Sequence, residues 1–237
     1  MTKLSVNINK IATIRNARGS NVPDVTLAAV NCQKFGAQGI TVHPRPDERH
    51  ITYNDVRQIK PVIATEFNIE GYPSQRFLDL VMEVLPHQVT LVPDSHDVIT
   101  SNQGWNVIKY EKFLCDVITE LKKHGIRTSL FIETDLEQIE RAAATGTNRI
   151  ELYTEPYASK YSSDREKAVA PYIRAAQRAS EIGLELNAGH DLNLENLAYF
   201  KSNVPGLMEV SIGHALISDA LYYGLDRTIQ LYLKQIA

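Results

Sequence analysis

The sequence predicts an α/β protein: one closed (β/α)8 barrel of the TIM type with extra short helices, a single domain over residues 1–237. Three observations carry that expectation. Short apolar runs with β-branched character alternate with helix-period stretches along the whole chain. Each strand–helix unit takes roughly 25–35 residues, which is what a parallel crossover needs. No Gly-x-Gly-x-x-Gly follows the first run, which weighs against the rival open sheet with a dinucleotide site.

The elements follow in order. Leu4–Ile8 alternates as a first strand, and 9–20 is a polar, basic stretch with Lys10, Arg15, Arg18 and Gly19. Asp24 is placed to cap a helix over 25–35, whose apolar face is Val25, Ala28, Ala29 and Cys32, and Gly36 stops it. Gly39–Val42 is the second strand, 54–62 a short helix and Ala64–Ile69 the third strand, leading to Glu70. Ser74 caps a helix to about Leu85, ended by Pro86, and Gln88–Val92 is the fourth strand. A long aperiodic loop, 93–104, precedes an amphipathic helix over 106–124 closed by Gly125. The fifth strand is Ile126–Ile132, followed by a helix over 135–145, and the sixth is Arg149–Tyr153. Ser163 or Asp164 caps a long helix to Ile182. Leu184–Asn187 is the seventh strand, with a helix over 193–201, and Glu209–Ile212 is the eighth, with helices to Tyr223 and over 225–236.

Composition narrows the function. The net charge of −3, with no long basic stripe, weighs against a nucleic-acid partner. No run approaches the roughly 18 apolar residues of a membrane span, and the N-terminal residues lack the pattern of a signal peptide. Cys32 and Cys115 sit in helix-like runs and read as thiols rather than a disulfide or metal pair. A cytoplasmic setting is the expectation.

In such a barrel the working residues lie at the C-terminal ends of the strands. Those positions hold Asn7, Asn9, His43, Arg45, Glu70, Thr100, Glu133, Glu151, His190 and His214. The stretch Gly39-Ile-Thr-Val-His-Pro-Arg-Pro-Asp-Glu-Arg-His-Ile51 concentrates basic and titratable groups directly after a buried strand, stiffened by Pro44 and Pro46. Glu151 lies between Ile150 and Leu152 and so points the other way, into the barrel, where a lone carboxylate is costly. His87, His96 and His124 read as surface histidines, and Glu133 also fits a helix-capping turn. No strand carries a lysine at its C-terminal end, so carbonyl–amine chemistry would need a substrate amine. No His-x-His or His-Glu-x-x-His supports a metal. The Gly-His turns at 189–190 and 213–214 follow the last two strands, where barrels commonly bind phosphate, and the helix from His214 offers free N–H groups. Arg18, Arg45 and Arg49 supply cations for a second anion. A phosphosugar isomerase or aldolase, and a barrel that binds phosphorylated metabolites without turnover, share many of these features.

Val6-Asn-Ile-Asn-Lys-Ile-Ala-Thr-Ile-Arg-Asn-Ala-Arg-Gly19, the 39–51 stretch, Asn68-Ile-Glu70, Leu91-Val-Pro93, Ser129-Leu-Phe-Ile132, Asn187-Ala-Gly-His190 and Ile212-Gly-His214 together resemble the pyridoxine 5′-phosphate synthase family of vitamin B6 biosynthesis, in order along the whole chain. The resemblance implies condensation of 1-deoxy-D-xylulose 5-phosphate with 3-amino-2-oxopropyl phosphate, without metal or organic cofactor, in a homo-octamer. It implies that His43 and Glu70 accept protons, His190 donates one and Glu151 supports catalysis. Arg45, His50 and Thr100 would bind the deoxyxylulose phosphate; Asn7, Arg18, Gly213 and His214 would bind the aminoketone phosphate, with Arg18 reaching a neighbouring subunit's site. Two departures stand out. Asn9 and Lys10 replace an Asp-His pair that contributes to the deoxyxylulose-phosphate site in many members. Asp191 stands where some have glycine, at a position whose backbone contacts ligand.

Overall fold

The computed structural model describes residues 1–93 and 103–237. Eight strands close into a parallel barrel in sequence order: β1 (Lys3–Asn7), β2 (Gly39–Val42), β3 (Glu66–Gly71), β4 (Gln88–Leu91), β5 (Arg127–Ile132), β6 (Arg149–Tyr153), β7 (Glu185–Gly189) and β8 (Leu207–Ile212). β8 pairs back onto β1, with Val6 opposite Ile212. The helices around it are α1 (Asn9–Asn16), α2 (Val25–Lys34), α3 (Tyr53–Ile59), α4 (Gln75–Val84), α5 (Val107–Lys123), α6 (Leu136–Ala144), α7 (Glu155–Glu181), α8 (Leu197–Asn203), α9 (His214–Tyr223) and α10 (Leu225–Ile236). Among the described residues no helix is long and apolar enough to cross a membrane. The loop expected over 93–104 lies mostly outside the described residues, Thr100 and His96 with it.

Alternation sorts each strand into two faces. Apolar residues such as Leu4, Val6, Ile40, Ile69 and Leu130 face the helices and are fully buried there. The other face fills the barrel, and it is polar, where most such barrels use Val, Ile and Leu. Ser5 Oγ and Thr41 Oγ1 share a hydrogen bond of 2.7 Å, and Thr90 Oγ1 donates to Asn68 Oδ1 at 3.1 Å. Arg127 and Arg149 both donate to Gln88 Oε1, at 2.8 and 3.2 Å, and both pair with Glu66 near the strands' N-terminal ends.

Three helical segments and one strand differ from expectation. α1 occupies part of the stretch read as merely polar. It buries only Ile11, Ala12 and Arg15, and a buried arginine breaks the apolar pattern that would have marked the helix. Asp164 does cap the long helix, accepting from the Lys167 N–H at 3.1 Å, but Glu155–Ser163 is helical as well, and the two pieces meet at the non-helical Asp164. β3 begins later than expected because Gln33 Oε1 takes the N–H groups of Ala64 and Thr65, at 2.7 and 3.0 Å; the strand runs to Gly71, so Glu70 lies within it. The helix expected from Asn193 starts at Leu197, after an Asx turn in which Asn193 Oδ1 accepts from Glu195 and Asn196.

Candidate active site

A cavity of about 560 Å³ opens at the C-terminal ends of the strands. Such a volume holds small-molecule ligands. Among the described residues, every site residue expected from the sequence lines it except Arg18 and Glu133. Arg18 is exposed beyond the end of α1, outside this lining, and Thr100 falls outside the described residues. Glu133 is also exposed and outside the lining; Asp135, two residues on, caps α6.

His43 and Glu70 meet at the ends of β2 and β3. His43 Nδ1 is 3.8 Å from Glu70 Oε2, and Asn7 Nδ2 donates to the same oxygen at 3.5 Å. Burial, reinforced by Arg45, His50, His190 and Arg49, holds the His43 imidazole well below its ordinary pKa, so it is neutral at pH 7. A neutral imidazole against a carboxylate can accept a proton. Asn9 has a structural part here: its Oδ1 accepts the His43 backbone N–H at 2.9 Å, and its own N–H donates to Asn7 Oδ1 at 3.1 Å. An aspartate would accept the same bond. Lys10 then brings its ammonium to the cavity.

His50 sits beyond them, its ring centroid 6.4 Å from that of His43. Burial and the cations Arg45, Lys10 and Arg49 lower its pKa to about 4. Ile51 N–H donates to its Nδ1 at 2.9 Å, which leaves the neutral ring's proton on Nε2.

Across the barrel, burial and the neighbouring Glu209 raise the Glu151 pKa to about 8, against a smaller opposing pull from the Thr90 hydroxyl. Its carboxyl is therefore mostly protonated at pH 7. Gly189 makes room for it: a Cβ there would lie 3.0 Å from Glu151 Oε1 and 2.7 Å from the Ser211 carbonyl oxygen. Gly213 likewise lets β8 close on Asn7, whose Cβ would be 3.1 Å from an added methyl.

His190 and Asp191 both have left-handed backbones, at φ 70° and 59°. Such conformations cost energy in L residues and persist where the surroundings hold them. Thr154 Oγ1 donates to the Gly189 and His190 carbonyls, and Asn196 Nδ2 donates to the Asp191 carbonyl at 3.1 Å. An αL position favours glycine, so Asp191 holds a backbone that glycine would adopt more readily. The His190 ring lies between Phe131 and Tyr153, at centroid distances of 4.9 and 5.4 Å.

The sequence reading missed Tyr153 and Ser211 in the lining. Each lies two residues past an inward glutamate, Glu151 or Glu209, so strand parity was the available signal. Among the described residues no group of three or more His, Cys, Asp or Glu side chains gathers to hold a metal ion.

Comparison with known proteins points in one direction. Residues 4–237 match the family model described as pyridoxal phosphate biosynthesis protein PdxJ. The chain is 65% identical over 232 residues to pyridoxine 5′-phosphate synthase of Parabacteroides distasonis, covering 98% of each chain. It is 60% identical to that of Porphyromonas gingivalis over the full length of both. Among solved structures, phosphoribosyl anthranilate isomerase from Thermotoga maritima superposes with a TM-score of 0.61 at 14% identity, covering 100% of this chain and 98% of the other. That likeness shows the shared barrel fold alone.

Proposed function

The chain belongs to the PdxJ family of pyridoxal phosphate biosynthesis, and from that premise we propose that its cavity makes pyridoxine 5′-phosphate by condensing 1-deoxy-D-xylulose 5-phosphate with 3-amino-2-oxopropyl phosphate, releasing phosphate and water. The observation that carries this reading is the convergence of His43, Glu70, Glu151 and His190 on one cavity with cationic side chains in its wall.

The substrate amine attacks the ketose carbonyl, and loss of water forms an imine between the two substrates. This accounts for a site with no strand-end lysine. Ring closure then needs C–H protons removed and hydroxyl and phosphate leaving groups protonated. Neutral His43 and the Glu70 carboxylate serve as bases, His190 as the acid, and protonated Glu151 donates a hydrogen bond to developing negative charge. Arg45, His50 and Lys10 hold the ketose phosphate, and the family resemblance adds Thr100, which lies outside the described residues. Asn7 and the Gly213–His214 turn at the start of α9 hold the aminoketone phosphate, and the backbone of Asp191 contacts ligand.

We further propose a homo-oligomer, an octamer by family resemblance, in which Arg18 enters a neighbour's cavity. The exposed Leu221, Tyr222 and Tyr223 of α9 and Val22 and Leu27 near α2 give the subunit apolar surface to bury. The reaction is assigned to the cytoplasm, in keeping with two free thiols.

The test is to supply both substrates to the purified protein and follow pyridoxine 5′-phosphate and inorganic phosphate together. Equal amounts of each are expected. Turnover of the ketose phosphate alone would favour an isomerase or aldolase, and binding without turnover a silent barrel.

A further inference from the structure

Arg15 sits outside the cavity lining, yet it is 8% exposed and every branch of its guanidinium is engaged. Nη1 and Nη2 grip Asp55 at 2.6 and 2.8 Å. Nη2 also donates to the His50 carbonyl at 3.3 Å, and Nε to Asn16 Oδ1 at 3.0 Å. Asn16, so oriented, donates from Nδ2 to the carbonyls of Arg49 and His50, at 3.1 and 2.9 Å. Asp55 closes the frame: its Oδ2 takes the Thr52 N–H at 2.7 Å, and its own N–H donates to Thr52 Oγ1 at 3.0 Å, a capping box at the start of α3.

These bonds converge on two consecutive peptide carbonyls, those of Arg49 and His50, both cavity-lining residues. The next residue, Ile51, fixes the His50 imidazole through Nδ1. Two ends of the chain segment are thus tied: α1, which carries Lys10 near its start, and α3, which begins directly after the loop. A buried bidentate pair would be a poor source of stability by itself, because desolvation offsets most of its attraction. Its geometric specificity is what this arrangement uses.

We propose that Arg15, acting through Asp55 and Asn16, is a positioning residue for the ketose-phosphate subsite: it holds His50 so that Nε2–H faces the cavity, in register with Arg45 and Lys10. The inference rests on the assignment of His50 to the deoxyxylulose phosphate. Arg15 touches no substrate. Its effect on turnover is transmitted through the 49–51 backbone.

The test compares Asn16→Ala and Arg15→Lys in the full-length protein with wild type. Asn16→Ala removes the bonds to the two carbonyls without leaving a buried charge alone; Arg15→Lys keeps the charge and loses the fork. Both are expected to raise KM for deoxyxylulose phosphate about tenfold, with KM for the aminoketone phosphate unchanged and kcat within about threefold. The His50 imidazole ¹⁵N resonances, measured without substrate, are expected to shift in both. A purely structural role would lower Tm and leave the ratio of the two KM values alone. Folded Asn16→Ala with wild-type KM values and unshifted His50 resonances overturns the proposal, and it decides alone if Arg15→Lys does not fold. If wild type makes no pyridoxine 5′-phosphate, the functional reading fails separately, and the His50 resonances still decide whether the brace exists.

Discussion

Glu70 Oε2 lies 3.8 Å from His43 Nδ1 and receives a second contact from Asn7, so a carboxylate and a neutral imidazole share one buried corner of the cavity. The two come from adjacent parallel strands, in which Val42 pairs with Ile69, so their separation is set by the β2–β3 ladder rather than by a loop. Glu70→Gln keeps the shape and removes the base. It is expected to lower kcat by about 10²–10⁴, the range for loss of a positioned general base, while Tm moves by only a few degrees. Steady-state kinetics beside a thermal melt checks this; an equal collapse of both would assign Glu70 to folding instead.

The pH profile follows from the two perturbed groups. His43 is held well below its ordinary pKa by burial, so kcat/KM should show no acid limb near 6.5 and fall only at lower pH. Glu151 gives up its proton near pH 8, so an alkaline limb is expected there. Glu151→Gln should remove that limb while reducing the rate. An alkaline limb unchanged in the variant would assign it to another group.

Stability should respond to Glu151 with a definite sign. Its folded pKa, about 8, lies above the unfolded value, so between roughly pH 4.5 and 8 the native state holds a proton that the unfolded chain has lost. Stability from this group is therefore greatest in acid and declines as pH rises through that window. Glu151→Gln abolishes the decline, and its Tm relative to wild type should increase from pH 6 to pH 8. A constant difference across that range would contradict the assignment.

The strained turn after β7 offers a paired test. Thr154→Val removes the donor that holds the Gly189 and His190 carbonyls and is expected to cost about 1–2 kcal/mol and to lower kcat, because His190 is no longer held. Asp191→Gly relieves an αL backbone and is expected to raise stability by roughly 0.5–1 kcal/mol. Chemical denaturation of both variants measures these opposite signs.

The barrel and most of its cavity were legible because they depend on local pattern. Strand periodicity located the C-terminal ends of β2 and β8 and placed those of β3 and β7 two residues short, and parity pointed Glu151 inward. What stayed hidden depends on contacts between distant segments. α1 was unreadable because its third buried position is Arg15, whose partner Asp55 lies 40 residues away. The cage of Phe131 and Tyr153 around His190 joins β5, β6 and the turn after β7, and the buried inward groups of β7 and β8, Asn187 and Glu209 Oε2, have no hydrogen-bond partner among the described residues to announce them. Arg18 matched a family motif, yet its own fold leaves it exposed.

Two phosphorylated substrates that meet in one cavity across the His43–Glu70 pair require two anion sites there. A crystal structure of the protein soaked in inorganic phosphate tests this most directly. Two phosphates are expected in the same cavity, one against Arg45 and His50 and the other at the N–H groups of the Gly213–His214 turn. A single phosphate, or a second one bound away from the strand ends, would contradict this.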